Sequence, residues 1–396
     1  MKLAIVTALP PSKVTLNEYG FHLAKHFAQK EEIEELILIT DKVREPRHFD
    51  FDTGKVTLIE AWKFNSYNTL FSVSKAIRKS GADAVLFNLQ FMKFGDKKVP
   101  AALGLMLPMI CRFQGIPSIT LLHNILEQVD LGQAGFTENR ILKFLFNQIG
   151  TFLTRLILQS DRVALTIGKY VEIISAKYQA KNVILMPHGS FETPPAPDFD
   201  IPEGPKKVMC FGKFGTYKRV ELMIEAVEEL RQRTNLDLEI VIAGTDSPNT
   251  PGYLQEMKEK YAMVQNIEFT GYVAEEEVSK VFTESALVVF PYTATTGSSG
   301  VLHQAGSYGK AVVMPNLGDL ALLVEEEGYA GEFFEPGNVA SLARSLENIL
   351  KNEEYRRSLG EKNYAAACSL PMETIAQMYL EEFKSLRKQK LKIKYV

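Results

Sequence analysis

Short apolar runs recur along the whole chain, each too brief for a buried helix and most followed by enough residues to form one. In the first half they occupy residues 3–9, 36–39, 56–59, 84–87, 118–122, 163–166 and 183–186. Rich in valine, isoleucine and leucine and without regular polar alternation, they read as strands buried on both faces of a parallel sheet. Between the first two runs, residues 17–29 place Phe21, Leu23, Ala24 and Phe27 at helical spacing. Strand, crossover helix, strand is the signature of a doubly wound α/β sheet.

The pattern breaks at residues 191–205, FETPPAPDFDIPEGP, where proline and acid replace it, and then restarts. The break reads as a linker. Beyond it, 208–211, 238–243, 267–270, 286–290 and 311–315 supply strands, and 220–230 an amphipathic helix. A chain of 396 residues exceeds what one core usually supports. The expectation is two Rossmann-like domains, 1–193 and 194–370, facing across a cleft, with a last helix at 371–396 returning to the first domain.

The formal net charge of −3 argues against a dedicated nucleic-acid binder. No stretch of about 18 uncharged apolar residues is present, so no spanning helix is expected. The start, MKLAIVTALPP, has an apolar run too short for a signal peptide and reads as the first strand. Cys111, Cys210 and Cys368 are odd in number, far apart and set among apolar or helical residues. That predicts buried thiols in a reducing cytosol rather than disulfides or a metal site.

Chemistry-bearing residues gather at the predicted ends of strands. The run 286–290 leads into Thr295-Thr296-Gly297-Ser298-Ser299-Gly300 and then a helical pattern from Val301 to Tyr308. Two glycines let a backbone approach a ligand, hydroxyls can donate to it, and the helix presents its positive end, which suits a phosphate. An ordinary tight turn is the other reading. Lys213 and Lys218 lie in FGKFGTYKR, just past the predicted end of the strand at 208–211, where two ammonium groups can neutralise a diphosphate. His123 and His188 follow the runs 118–122 and 183–186, His123 as a candidate ligand contact and His188 as a support or lining residue, while His303 falls within the helix after the loop. Asp50/Asp52 and Asp198/Asp200 imitate metal pairs, but neither stands at the end of a strand, and both read as surface acids. Walker, G-x-G-x-x-G and His/Cys metal spacings do not occur, which argues against a P-loop or nicotinamide enzyme.

Several segments together carry a resemblance: VMCFGKFGTYK ending at Lys218, Ile242-Ala243-Gly244, NIEFTGY ending at Tyr272, QAGSYGKAVV from Gln304, GEFFEPGN from Gly331, TLLH ending at His123 and MPHG ending at Gly189. In this order and spacing they resemble the retaining glycosyltransferases of the GT-B fold, the group 1 set that includes mannosyl- and glucosyltransferases of glycolipids and polysaccharides. The resemblance covers nearly the whole chain. It implies that His123 contacts the transferred sugar, that Lys218 and Lys213 bind donor phosphates, and that the amides near Ser299 and Gly300 hold the distal phosphate. Tyr272 and Val273 would border the base, and Thr296 to Gly300, with Gln304, would complete the donor site. Where the family has two glutamates, this chain has Thr296 and Gln304; where it usually has arginine, Lys213; and its usual glycine pair after the first strand is missing.

The resemblance therefore implies transfer of a hexose from a UDP- or GDP-linked donor to a carbohydrate or lipid-linked hydroxyl, with retained configuration, no metal and no bound cofactor. A sugar-nucleotide epimerase or a non-catalytic sugar-nucleotide binder are the alternatives. The implied setting is cytoplasmic, with peripheral contact at the inner face of a membrane. Residues 140–159, RILKFLFNQIGTFLTRLILQ, carry an apolar stripe and only basic charges, which suits either an interfacial helix on anionic lipid or a core-facing helix. The basic tail from Lys384 to Lys394 adds to the first reading.

Overall fold

The structure, a computed structural model, describes every residue except 48, 50, 52–53, 127–139, 202, 248, 295–297 and 395–396, and no side chains at 140–147, 319 and 391–394. It divides into two compact units, Met1–Phe191 with Met372–Val396, and Glu192–Pro371.

The first unit is built on strands β1 (Lys2–Val6), β2 (Glu35–Asp41), β3 (Val56–Trp62), β4 (Ala84–Leu89), β5 (Ser118–Leu122), β6 (Arg162–Leu165) and β7 (Val183–Leu185). Their order is β3-β2-β1-β4-β5-β6-β7, with every pair parallel. The order reverses between β1 and β4, a topological switch point. β1 stops three residues earlier than the apolar run suggests, because the chain turns toward Pro10 and Pro11, which have no N–H for a ladder.

The second unit uses β8 (Lys206–Phe214), β9 (Leu238–Asp246), β10 (Ile267–Gly271), β11 (Ser285–Val289), β12 (Ala311–Pro315) and β13 (Glu332–Phe334). The order β10-β9-β8-β11-β12-β13 is again parallel throughout, with its switch between β8 and β11. On one face the helix Val220–Arg233 buries Val220, Met223, Ile224, Val227 and Leu230, a helical stripe, against Val208, Cys210, Ile240 and Ile242. Cutting one such leucine to alanine costs about 2–5 kcal/mol, so this face holds the strand ends in register.

Three expectations change. The strand at 208–211 extends through Lys213 to Phe214, so Lys213 belongs to the strand rather than to the turn after it. The proline-rich stretch is not a free linker: Tyr364 Oη donates to the Pro194 carbonyl at 2.7 Å, Arg357 meets Asp200 at 2.8 Å, and Arg356 donates to the Phe199 carbonyl, all from the helix Glu353–Ser369. Cys111 and Cys210 are buried, but Cys368 is exposed, because its position on that same helix faces water.

The last helix, Met372–Lys394, lies on the helix Asn17–Ala28 and buries Ile375, Ala376, Tyr379, Leu380 and Phe383. Three of its basic residues face acids of the same unit. Lys384 meets Glu32 at 3.1 Å, Lys390 meets Asp161 at 2.9 Å and Arg387 approaches Asp83 at 3.8 Å.

Near the carboxyl edge of the second sheet, Gly244 on β9 stands opposite Gly212 on β8 with φ of +139°. A Cβ there would fall 1.9 Å from the Gly212 carbonyl oxygen. Gly244→Ala is therefore expected to destabilise the second unit by about 3 kcal/mol or more, combining positive-φ strain with overlap. Hydrogen exchange of the β8 and β9 amides checks this, and protection equal to wild type would refute it.

Candidate functional site

A parallel strand buried on both faces offers chemistry only where its chain leaves the sheet, and side chains gather at the switch point of each unit. In the first unit Asn88, inside the apolar β4, donates from Nδ2 to Thr7 Oγ1 at 3.0 Å and to the Leu16 carbonyl at 3.2 Å. Those bonds fix the carboxamide so that its Oδ1 accepts from His123 Nε2 at 2.7 Å. His123, the residue after β5, thereby carries its proton on Nε2 and keeps Nδ1 as an acceptor. Burial first, then the nearby His188 and Lys93, hold its pKa well below 6.5. Tyr19 packs edge-on to His123 and His188, with ring centroids 4.6 and 4.7 Å away. Burial lowers His188 to about 4.

Beside them Lys93 is fully buried and donates to the Thr15 carbonyl at 2.7 Å. Burial brings its pKa down to about 7, against the pull of Asp41. Gln90 donates to Thr15 Oγ1. The β1 turn is thus held by three side chains from β4 and the segment after it. None of the three was singled out from the sequence, although Asn88 in an apolar strand and a lone lysine in Phe91-Met92-Lys93-Phe94 are signals that could have marked two of them.

In the second unit the turn after β8 and the loop after β11 are tied together. Gly215 N donates to the Lys218 carbonyl at 3.0 Å, closing the turn, while Arg219 N donates to Pro291 O and Thr293 N to Tyr217 O, each at 2.8 Å. Lys218 and Tyr292 form an antiparallel bridge. The Lys218 ammonium lies 4.8 Å from the centre of the Tyr292 ring, a cation–π contact. Its place depends on Gly212, where a Cβ would stand 2.8 Å from Lys218 Nζ. Burial raises the Tyr292 hydroxyl, a shift opposed by its hydrogen bond with Ser299. Ser299 in turn precedes the helix Gly300–Ser307 and makes no side-chain cap to it. Lys218, Tyr292 and Ser299 are therefore one cluster at the mouth of a helix whose first-turn amides favour an anion.

The remaining candidates occupy the same edge or its flank. Lys213 is exposed and pairs in register with Thr245. Gln304 is half-buried, four residues after Gly300 and so on the same helical face. Tyr272, 77% exposed, and Val273 follow β10, two strands from β8 and hence about 10 Å across the sheet edge. Ser298 bonds His303 Nε2 at 3.0 Å. Thr296 and Gly297 lie outside the described residues, as do Asp50 and Asp52. Asp198 accepts from its own Asp200 N–H, and Asp200 pairs with Arg357, so this acid pair is structural.

Residues 196–366, nearly all of the second unit, match the model of the glycosyl transferases group 1 family. The likeness to that family is carried by the second unit. A stretch of 162 residues is 27% identical to the sulfoquinovosyl transferase SQD2 of Arabidopsis thaliana, covering 40% of this chain and 29% of that relative's length. The whole chain is similar in structure to sucrose-phosphate synthase from Thermosynechococcus elongatus, with a TM-score of 0.76 at 16% identity, covering 98% of this chain and 100% of the other. It is also similar to Anabaena Alr3699/HepE in complex with UDP-glucose, with a TM-score of 0.69 at 15% identity, covering 97% and 100%. At these identities the likeness is one of fold, the GT-B fold of two parallel α/β domains.

The matched stretch contains Lys213, Lys218, Ser298, Ser299, Gly300 and Gln304, whereas His123 sits in the other unit on a scaffold of buried, neutral imidazoles. Protonating such a histidine is opposed in the folded state only, so below pH 6.5 the unfolded chain binds more protons and stability falls until about pH 4, the folded value of His188. The slope is about 1.4 kcal/mol per pH unit for each histidine involved. Trp62, the single tryptophan and buried in the first unit, reports this by fluorescence during urea unfolding. A midpoint that does not change across that window would contradict it.

Proposed function

We propose that this chain is a retaining glycosyltransferase that moves a hexose from a UDP- or GDP-linked donor to a hydroxyl acceptor, in glycolipid or polysaccharide synthesis, without a divalent metal. The observation that carries the reading is the cluster of Lys218, Tyr292 and Ser299 at the switch point of the unit that matches the group 1 family. Lys218, Lys213 and the Gly300–Ser307 helix end supply positive potential where the departing diphosphate gains charge. The sugar C1–O bond to phosphate breaks, the acceptor oxygen bonds C1 on the same face, and its proton passes to the departing phosphate oxygen. No protein base is then required. His123, with Nδ1 as acceptor, receives a sugar hydroxyl, and Gln304 accepts one from the ribose through its amide oxygen.

Sulfoquinovosyl transfer by one relative and UDP-glucose in a structure of another favour a sugar-nucleotide donor here. Lys218→Ala is expected to lower turnover by about 10²-fold or more, the cost of removing one preorganised charge partner. Sugar release from UDP-glucose and GDP-mannose, followed with and without acceptor, measures it. Near-wild-type turnover would remove Lys218 from the mechanism, and binding without turnover in the wild type would make the protein a sugar-nucleotide binder.

The lipid side of the proposal rests on one face of the first unit. The helix Arg140–Ile157 packs on the helices Lys98–Leu105 and Leu107–Phe113, and none of these segments contains an acid. Its Leu156 and Ile157 are core, as the packing reading expected, yet Ile149 and Phe152 are 42% and 59% exposed, and Phe113 is exposed as well. Exposed apolar side chains on segments whose only charges are basic, Lys98, Arg112, Arg140, Lys143 and Arg155, fit an anionic bilayer surface. The tail adds little to this, since Lys384, Arg387 and Lys390 already face acids. Flotation with vesicles containing phosphatidylglycerol is expected, weakened by salt and abolished in the double variant Ile149→Glu, Phe152→Glu. Absence of flotation at low salt would reject it.

A further inference from the structure

Behind the donor loop runs a chain of buried polar groups that the mechanism above does not use. His303, on the Gly300–Ser307 helix, is 2% exposed. Its Nε2 lies 3.0 Å from Ser298 Oγ and its Nδ1 lies 2.9 Å from Tyr329 Oη. Glu327, at the end of the helix Gly318–Glu327, stands with Oε2 3.5 Å from the same Nδ1. Among the described residues neither Glu327 oxygen has a hydrogen-bond partner, and burial raises this carboxyl to about 8, which disfavours a carboxylate–imidazolium bridge with His303.

The polarity of such a chain decides what Ser298 can do. A neutral imidazole has one N–H and one lone pair. If Tyr329 O–H donates to Nδ1, then Nε2–H donates to Ser298 Oγ, and the serine proton remains for an outside acceptor. In the opposite polarity Ser298 donates inward and offers a phosphate only lone pairs, which it repels. An oxyanion beside Ser298 selects the first arrangement, and each bond in the chain polarises the next. The backbone reinforces the geometry: Ser307 Oγ donates to the His303 carbonyl at 3.0 Å, and Tyr329 lies against Gly306, where a Cβ would stand 2.6 Å from its ring.

We propose that His303 is a positioning residue that, backed by Tyr329, sets Ser298 as a hydrogen-bond donor to a phosphate oxygen of a nucleoside diphosphate. The inference rests on the donor-site reading above. It differs from a packing role for His303 in one respect: it concerns the diphosphate and not the nucleoside.

Calorimetry with UDP, GDP, uridine and guanosine separates these cases. Ser298→Ala and His303→Leu are each expected to weaken the bound diphosphate by about ten-fold, the size of one hydrogen bond to a charged group, while leaving the nucleoside unchanged. The double variant is expected to be no weaker than either single one, and His303→Gln, which can still donate to Ser298, to recover part of the loss. Additive losses, equal losses for nucleoside and diphosphate, or wild-type affinity in Ser298→Ala would overturn the proposal while the donor site stands. Ser298→Ala decides the matter even if His303→Leu does not fold. Wild-type protein that binds neither diphosphate would overturn the donor-site reading and this inference together.

Discussion

In both units the backbone of each central strand is hydrogen-bonded on both sides and its faces are mostly apolar, so most polar side chains free to meet a ligand stand at or near the strand ends. That constraint explains why sites so different in chemistry occupy equivalent places. In the first sheet the neighbours of β1 diverge toward β2 on one side and β4 on the other, and the gap holds Asn88, His123, Lys93 and the Thr15-Leu16 turn. In the second, β8 and β11 diverge in the same way, and the gap holds Lys218, Tyr292 and Ser299. In the first gap burial holds His123 and His188 neutral and lowers the pKa of Lys93. The second contains a fixed cation. The two sheets supply these different environments by the same topology.

Much of this was legible in the sequence because parallel strands write themselves as uninterrupted apolar runs. The runs at 36–39 and 56–59 lie within β2 and β3, and 118–122 is β5 itself. Strand ends were less legible. β8 continues through Gly212-Lys213-Phe214, where glycine and lysine look like a turn, because β9 pairs with it residue by residue up to Asp246. Partners contributed by distant segments were not legible at all. Tyr292 gives no local sign that it will cover the Lys218 ammonium, and Tyr329 gives none that it will meet His303, since each pairing follows from which strands become neighbours. The proline-rich stretch misled for a related reason: its composition says linker, but Arg356, Arg357 and Tyr364 fasten it from far along the chain.

The departures from the resembled family can be read in physical terms. Gln304, where a glutamate is usual, keeps an acceptor oxygen but removes a negative charge from the helix that follows Ser299. Losing that charge suits a site whose cations are two lysines, each a compact point charge without arginine's planar fork. Fewer carboxylates leave more of the lysine potential unopposed at this edge. Serines at 298 and 299 extend the same trend, since one engages Tyr292 and the other His303. The polar groups of this donor edge are mostly neutral hydroxyls and amides, oriented by partners behind them.

The missing glycines after β1 show what the first site requires of its backbone. Leu16 adopts φ 62° and ψ 21°, a left-handed conformation that glycine enters freely and leucine does not. The strain is about 1–2 kcal/mol for a residue with a Cβ. It is held by hydrogen bonds from both sides of the peptide: Asn88 Nδ2 and Gly20 N donate to the Leu16 carbonyl at 3.2 and 3.0 Å, and Lys93 donates to the carbonyl of Thr15. Two such bonds offset strain of this size. The same Asn88 that stabilises the turn also orients His123, so the turn conformation and the histidine tautomer are set by one side chain. A leucine can therefore stand where glycine is usual because the surrounding buried amide and ammonium impose the conformation that glycine would have reached unaided.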